Sequence, residues 1–173
     1  MTTTGSDAEA LALERLATVS EAIVTGVEAA LPDWVLLQVS RLLDAWSRSG
    51  ARGSGSGPGH RESAVGVPDA AAACATRVGD ALRALFALDP RDQHSTPLEI
   101  VRTAVREPTA VLRAAGVPEV TRDPFDERAF PDDRYDLVPR TLGDLGEPGL
   151  GPLQLEWGLA KTAVLRSRPD GPG

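Results

Sequence analysis

One cysteine, one lysine, two histidines and an aromatic content of 4% leave this 173-residue chain short of several kinds of chemistry. A single thiol, Cys74, can form neither a disulfide within the chain nor a cysteine-based zinc site, and it fits a reducing compartment. Its neighbours Ala71, Ala72, Ala73 and Ala75 mark a small, packed helix position. A reactive thiol needs an exposed, electropositive setting, which only Arg77 could supply, so an inert Cys74 is expected. There is no nucleophile elbow and no cysteine and histidine cluster. The Gly/Ser run 48–61 follows a polar helix end rather than a buried strand, which excludes a phosphate cradle there and leaves His60 solvated. Positive charge is sparse: the net charge is −7, the sequence pI is about 4.8, and the arginines are scattered. Phosphate backbones and anionic membrane surfaces are repelled by such a chain.

Two further absences bear on fold and location. No run of alternating β-branched residues reads as strand, and no repeat of about 20 to 50 residues appears. The opening MTTTGSDAEALALE has neither a basic n-region nor an apolar h-region, and no later run approaches the roughly 20 apolar residues of a membrane span. The expectations are therefore a cytoplasmic protein, with no nucleic-acid partner, no membrane partner, no cofactor and no metal.

Against these absences stand 42% hydrophobic and 25% charged residues, enough for one domain with a real core, and 17 Gly with 14 Pro, which imply much loop. Met1 to Gly5 reads as a disordered start. Ser6 with Glu9 forms a capping-box pattern, and Leu13, Leu16, Val19, Ile23, Val27 and Leu31 recur at helical spacing, predicting a helix from Ser6 to about Ala30. Leu31-Pro32-Asp33 predicts a break, with a second helix through Trp34 and Trp46 to about Ser47. So short a connection makes 6–47 a helical hairpin, or else a kinked continuous rod. Residues 48–64 read as a flexible linker and 169–173 as a frayed end.

Pro68-Asp69 opens another helix, to about Leu88, whose stripe is small at first (Ala71, Ala75) and bulky later (Leu82, Leu85). Thr96-Pro97-Leu98-Glu99 is the strongest local signal, an N-cap, a proline at the first position and a capping-box acid. Glu107-Pro108 interrupts that helix, and Thr109 to Ala115 follows as a short one closed by Gly116. From Glu119 to Gly151 no period is sustained, although Thr141 and Asp144 can cap a single turn. Gly151-Pro152 starts the last helix, with Leu153, Trp157, Ala160 and Val164 on one face and Leu155, Leu159 and Leu165 nearby. The predicted fold class is all-α, an irregular bundle of about five or six helices crossed by one long non-regular segment.

Candidate chemistry concentrates in that crossing. Asp123, Asp126, Glu127, Asp132, Asp133 and Asp136 could in principle hold a hard cation, but FPDDRYD lacks the glycine and the length of an EF-hand loop. Arg122, Arg128, Arg134 and Arg140 interleave with these acids, and surface pairing is the simpler reading. His94 could act as a base only if Asp92 or Glu99 oriented it beside a nucleophile that the sequence does not place. No catalytic residue is assigned. The residues selected for ligand or partner contact are Arg113, Phe125, Phe130, Asp132, Asp133, Tyr135 and Asp136, and Trp34, Trp46 and Trp157 are read as core.

The segments ALPDWV and LLDAW, TPLEIVRTAVREPTAVLRAAGVPEV, FDERAFPDDRYDLVP and EWGLAK resemble a family of small, uncharacterised actinobacterial proteins. The likeness covers roughly 30–46 and 89–166, and the Arg-, Ala- and Gly-rich usage fits a high-GC genome. It implies an intracellular helical protein, and it carries no activity, cofactor or catalytic residue. The function expected on all these grounds is a non-enzymatic interaction or regulatory module whose partner is another protein or a second copy. The alternative is a small enzyme or small-molecule binder with a pocket near 113–136.

Overall fold

The computed structural model describes residues 3–48, 67–105 and 138–168, with side chains placed at 7–41, 67–105 and 138–168. Every regular element among these residues is helical: α1 (Thr3–Arg48), α2 (Val67–Ala87), α3 (Pro97–Val105), a 3-10 turn (Leu142–Leu145) and α4 (Leu150–Ser167). The all-α class holds, with four α-helices among the described residues. The larger number read from the sequence counted two helices within 6–47 and one over Thr109 to Ala115, which lies outside the described residues.

α1 is the axis. At 46 residues it extends roughly 69 Å at 1.5 Å per residue, more than twice the length of α2 or α4. It buries Leu16, Val19, Ile23, Val24, Val27, Leu31, Trp34, Val35 and Val39. That band is wider than one stripe because α2 and α4 both pack along it. Both neighbours run antiparallel to it: Glu28 meets Gly79 and Arg83 on α2, while Gly26 meets Leu150, and Glu9 meets Arg168, at opposite ends of α4.

The helix also passes straight through Pro32, so the expected break at Leu31-Pro32-Asp33 does not occur and 6–47 is not a hairpin. Proline removes the hydrogen bond to the Glu28 carbonyl and costs about 3 kcal/mol inside a helix. Leu31 on one side of Pro32, and Trp34, Val35 and Val39 on the other, are all buried in the same core. Burying each large apolar side chain contributes about 1.5–3 kcal/mol, so the continuous helix wins. The start is displaced as well: α1 begins at Thr3, which puts Ser6 inside the helix, and the Glu9 carboxylate serves Arg168 rather than a capping box.

By length and composition, Asp7–Arg41 is also long and apolar enough to cross a membrane, with a mean hydropathy of 1.3 in its best window, contrary to the reading that no run approached that limit. Within this fold the same apolar residues form the middle of the helical packing.

On α2 the small residues Ala71, Cys74 and Ala75 come first and Leu82 and Leu85 last, all buried, matching the expected gradient. At Gly79 the Glu28 side chain lies directly over the backbone, in the space a Cβ would occupy. The chain then turns at Asp89-Pro90: the Asp89 carboxylate accepts from Arg91 N at 3.0 Å, and its carbonyl accepts from Asp92 N at 2.8 Å. Gln93, buried, donates through Nε2 to the Leu88 carbonyl.

α3 starts as its sequence predicts. Thr96 N donates to the Glu99 carboxylate at 2.7 Å, and Glu99 N donates to Thr96 Oγ1 at 3.3 Å. Arg102 then ties α3 to the residues before the 3-10 turn, donating to the Pro139 and Arg140 carbonyls at 2.8 and 3.1 Å. Asp144 caps that turn by accepting from Arg140 N and Thr141 N, and Gly146 leaves it at φ 91°, the left-handed region that glycine adopts without a steric cost. Leu150 then seats against the bare Gly26 backbone, and α4 runs back along α1 with Trp157, Ala160 and Val164 buried.

Candidate functional site

All seven residues selected from the sequence for contact, Arg113, Phe125, Phe130, Asp132, Asp133, Tyr135 and Asp136, lie outside the described residues, as does the linker 48–64 apart from Arg48. The other candidates are placed. His94 is exposed, and Glu99 turns its carboxylate to Thr96 N rather than to an imidazole. Cys74 is buried, and the loss of solvent raises its thiol above the ordinary value despite the opposing effect of Arg77. Trp34 and Trp157 are buried. Among the described residues no three His, Cys, Asp or Glu side chains converge on a point that could hold a metal ion.

The ionisable groups with the strongest contacts hold elements together. Arg168, just past the end of α4, donates to Glu9 on α1 at 2.9 Å and to Asp89 in the 88–93 turn at 2.5 Å, clasping three segments. Asp89 is held below the usual carboxylate range by the hydrogen bond from Arg91 N and then by Arg168. Asp144 is lowered too, chiefly by Thr141 N. Arg83 bridges Glu28 at 2.7 Å and Asp80 at 3.3 Å. Lys161 donates to the Gln93 carbonyl, and its ammonium sits 5.1 Å from the centre of the Trp157 ring. Phe86 meets the same ring at 6.1 Å, tilted by 48°.

Among the described residues, two open grooves lie along α1. One, of about 400 Å³, runs between its front half and the end of α2, over Leu13, Leu16, Phe86 and Leu88. Its ionisable lining consists of Glu21 and Arg83, the latter already paired with Glu28. The other, of about 670 Å³, lies between Thr18 to Ala29 and the beginning of α4. Two polar atoms, Gln93 Oε1 and Trp157 Nε1, are buried without a hydrogen-bond partner among the described residues, and Gln93 lines the first groove.

The feature that the fold leaves unexplained is on α4. At 100° per residue the buried Leu150, Trp157, Ala160 and Val164 and the half-buried Leu153 fall on one side. Leu155 and Leu159 fall on the opposite side and are 68% and 58% exposed, with Pro152 and Ala163 continuing their line. Of the other exposed leucines among the described residues, Leu13 and Leu88 line the first groove together, and Leu11 and Leu37 lie elsewhere on α1. Beside the outer pair is Gly158, where a Cβ would meet nothing within 4 Å. An exposed Glu147 precedes the helix and an exposed Arg166 lies in its last turn, neither with an ion-pair partner among the described residues.

From the sequence, Leu155 and Leu159 are named only as near the core stripe and are assigned no face of their own. Plotting their angles from Trp157, about 160° and 200°, would have separated the two sets. The chain matches no family model, no curated protein and no solved structure.

Proposed function

We propose that the chain is a non-enzymatic protein-interaction module, a cytoplasmic helical bundle that binds another polypeptide through the outer face of α4. The same proposal takes in its kinship with the small actinobacterial proteins it resembles. The supporting observation is the second apolar face of a helix whose first face already fills the core. A surface helix needs one apolar stripe to fold. A second, with two adjacent leucines held on a rigid element, is the arrangement by which one helix receives another. The contacts that engage Arg168, Arg83, Asp144 and Lys161 are structural ones, which supports a binding role.

A photo-crosslinking amino acid placed at position 159 of the full chain, in cells of its source, tests this. A protein adduct at 159, with none at the exposed control position 76 on α2, is the expected result. No adduct at 159, or equal adducts at both positions, contradicts the proposal.

A further inference from the structure

We infer that the occupant of the α4 outer face is a second copy of this chain, packed with its own α4 antiparallel to the first. The inference rests on the proposed binding role of that face and names its partner. Three observations on α4 converge on it.

First, the face can match itself. Leu155 and Leu159 are one helical turn apart and exposed, so a two-fold axis passing between them brings each leucine against the opposite leucine of the second copy. Second, the charges at its ends have opposite signs. Glu147 stands before the first turn and Arg166 in the last, both exposed and without an ion-pair partner among the described residues. With the axis between residues 155 and 159, Arg166 of one copy falls beside the turn that carries Glu147 of the other, and the arrangement forms two such pairs. A parallel arrangement would place Arg166 against Arg166 and Glu147 against Glu147. The helix dipoles favour the antiparallel choice as well.

Third, among the described residues nothing lies within 4 Å of where a Cβ of Gly158 would sit. A glycine in the middle of a helix weakens it, and glycine is usually kept where a backbone or side chain approaches closely. Gly26 and Gly79 have such neighbours in Leu150 and Glu28, whereas Gly158 faces open space. Its carbonyl accepts from the Thr162 hydroxyl at 2.8 Å. A second helix crossing at Leu155 and Leu159 would supply the neighbour that Gly158 lacks.

Sedimentation of the purified full chain over a wide concentration range tests the arrangement, using charge reversals that leave the leucines in place. Wild type should show a reversible monomer–dimer equilibrium. Glu147→Arg alone and Arg166→Glu alone should each weaken the dimer about tenfold, since each converts two attractive pairs into repulsive ones. Glu147→Arg combined with Arg166→Glu in one chain should restore it, while circular dichroism remains that of wild type throughout. A monomer at every concentration overturns the inference, and so does a dimer indifferent to both single reversals. A crosslink from position 159 to a different protein also overturns it, while leaving the broader binding role intact. Failure to crosslink to any protein removes both.

Discussion

The two faces of α4 are built from similar residues but differ in what surrounds them. The inner face, with Leu150, Trp157, Ala160 and Val164 buried, has a neighbour for each large side chain: Leu150 rests on Gly26, and Trp157 on Phe86 and Lys161. The outer face offers Leu155 and Leu159 to solvent and places a glycine whose Cβ position nothing among the described residues approaches within 4 Å. The proposed association would use that second, exposed apolar line.

The comparison can be broken most forcefully on the inner side. Trp157→Ala should destabilise the fold by about 3–5 kcal/mol, because it empties the space against Phe86 and removes the ring beneath Lys161. A shift in the urea midpoint equivalent to less than about 1 kcal/mol would mean that the inner face is not the core contact it resembles.

Gly26→Ala comes next. The added Cβ would lie 2.6 Å from Leu150 Cδ2, and overpacking of this kind costs about 1–3 kcal/mol, against which the gain in helix propensity offsets up to about 1. Net destabilisation in thermal unfolding is expected. An increase in stability would show that Leu150 can withdraw from its notch at little cost.

Gly158→Ala sharpens the comparison from the outer side, because the same chemical change meets open space. At concentrations where the chain is monomeric it should raise stability by about 0.5–1 kcal/mol, while weakening self-association in sedimentation. Stabilisation with association unchanged would take Gly158 out of the contact.

The smallest effect concerns acid. Asp89 and Asp144 both have carboxyls lowered in the folded state by the hydrogen bonds they accept. Their contribution is present above the unfolded carboxylate value of about 3.9 and is lost as pH falls below it through the folded value. The stability gap between wild type and Asp144→Asn should therefore be full near neutrality and close in strongly acidic buffer. Equal gaps at both extremes in urea titrations would show that the Thr141 N and Arg140 N bonds do not depend on the charge.

The parts of this molecule that were legible in its sequence are the local ones. Thr96 with Glu99, and Thr141 with Asp144, are reciprocal bonds three residues apart, decided by residue type and spacing. The stripe of α2 was readable for the same reason. Pro32 misled because its cost is local while its compensation is spread over Leu31, Trp34, Val35 and Val39, all meeting a core that does not exist until α2 and α4 arrive. The clasp of Arg168 on Glu9 joins residues 159 apart and leaves no mark in the spacing of either. Leu155 and Leu159 were visible as apolar residues, but the direction they face depends on which side of α4 meets α1. The contact residues selected between Arg113 and Asp136 lie outside the described residues, and the face proposed on α4 is made of other residues.

The claim that α4 uses one face to fold and the other to associate is tested most directly by Leu155→Ser combined with Leu159→Ser in the full chain. Sedimentation and thermal unfolding would be measured on the same samples. The prediction is a monomer at all concentrations, with wild-type helicity and, in dilute solution, a midpoint equal to that of the wild-type monomer. Loss of the fold in the double variant, or a dimer that persists despite it, would contradict that division of the helix.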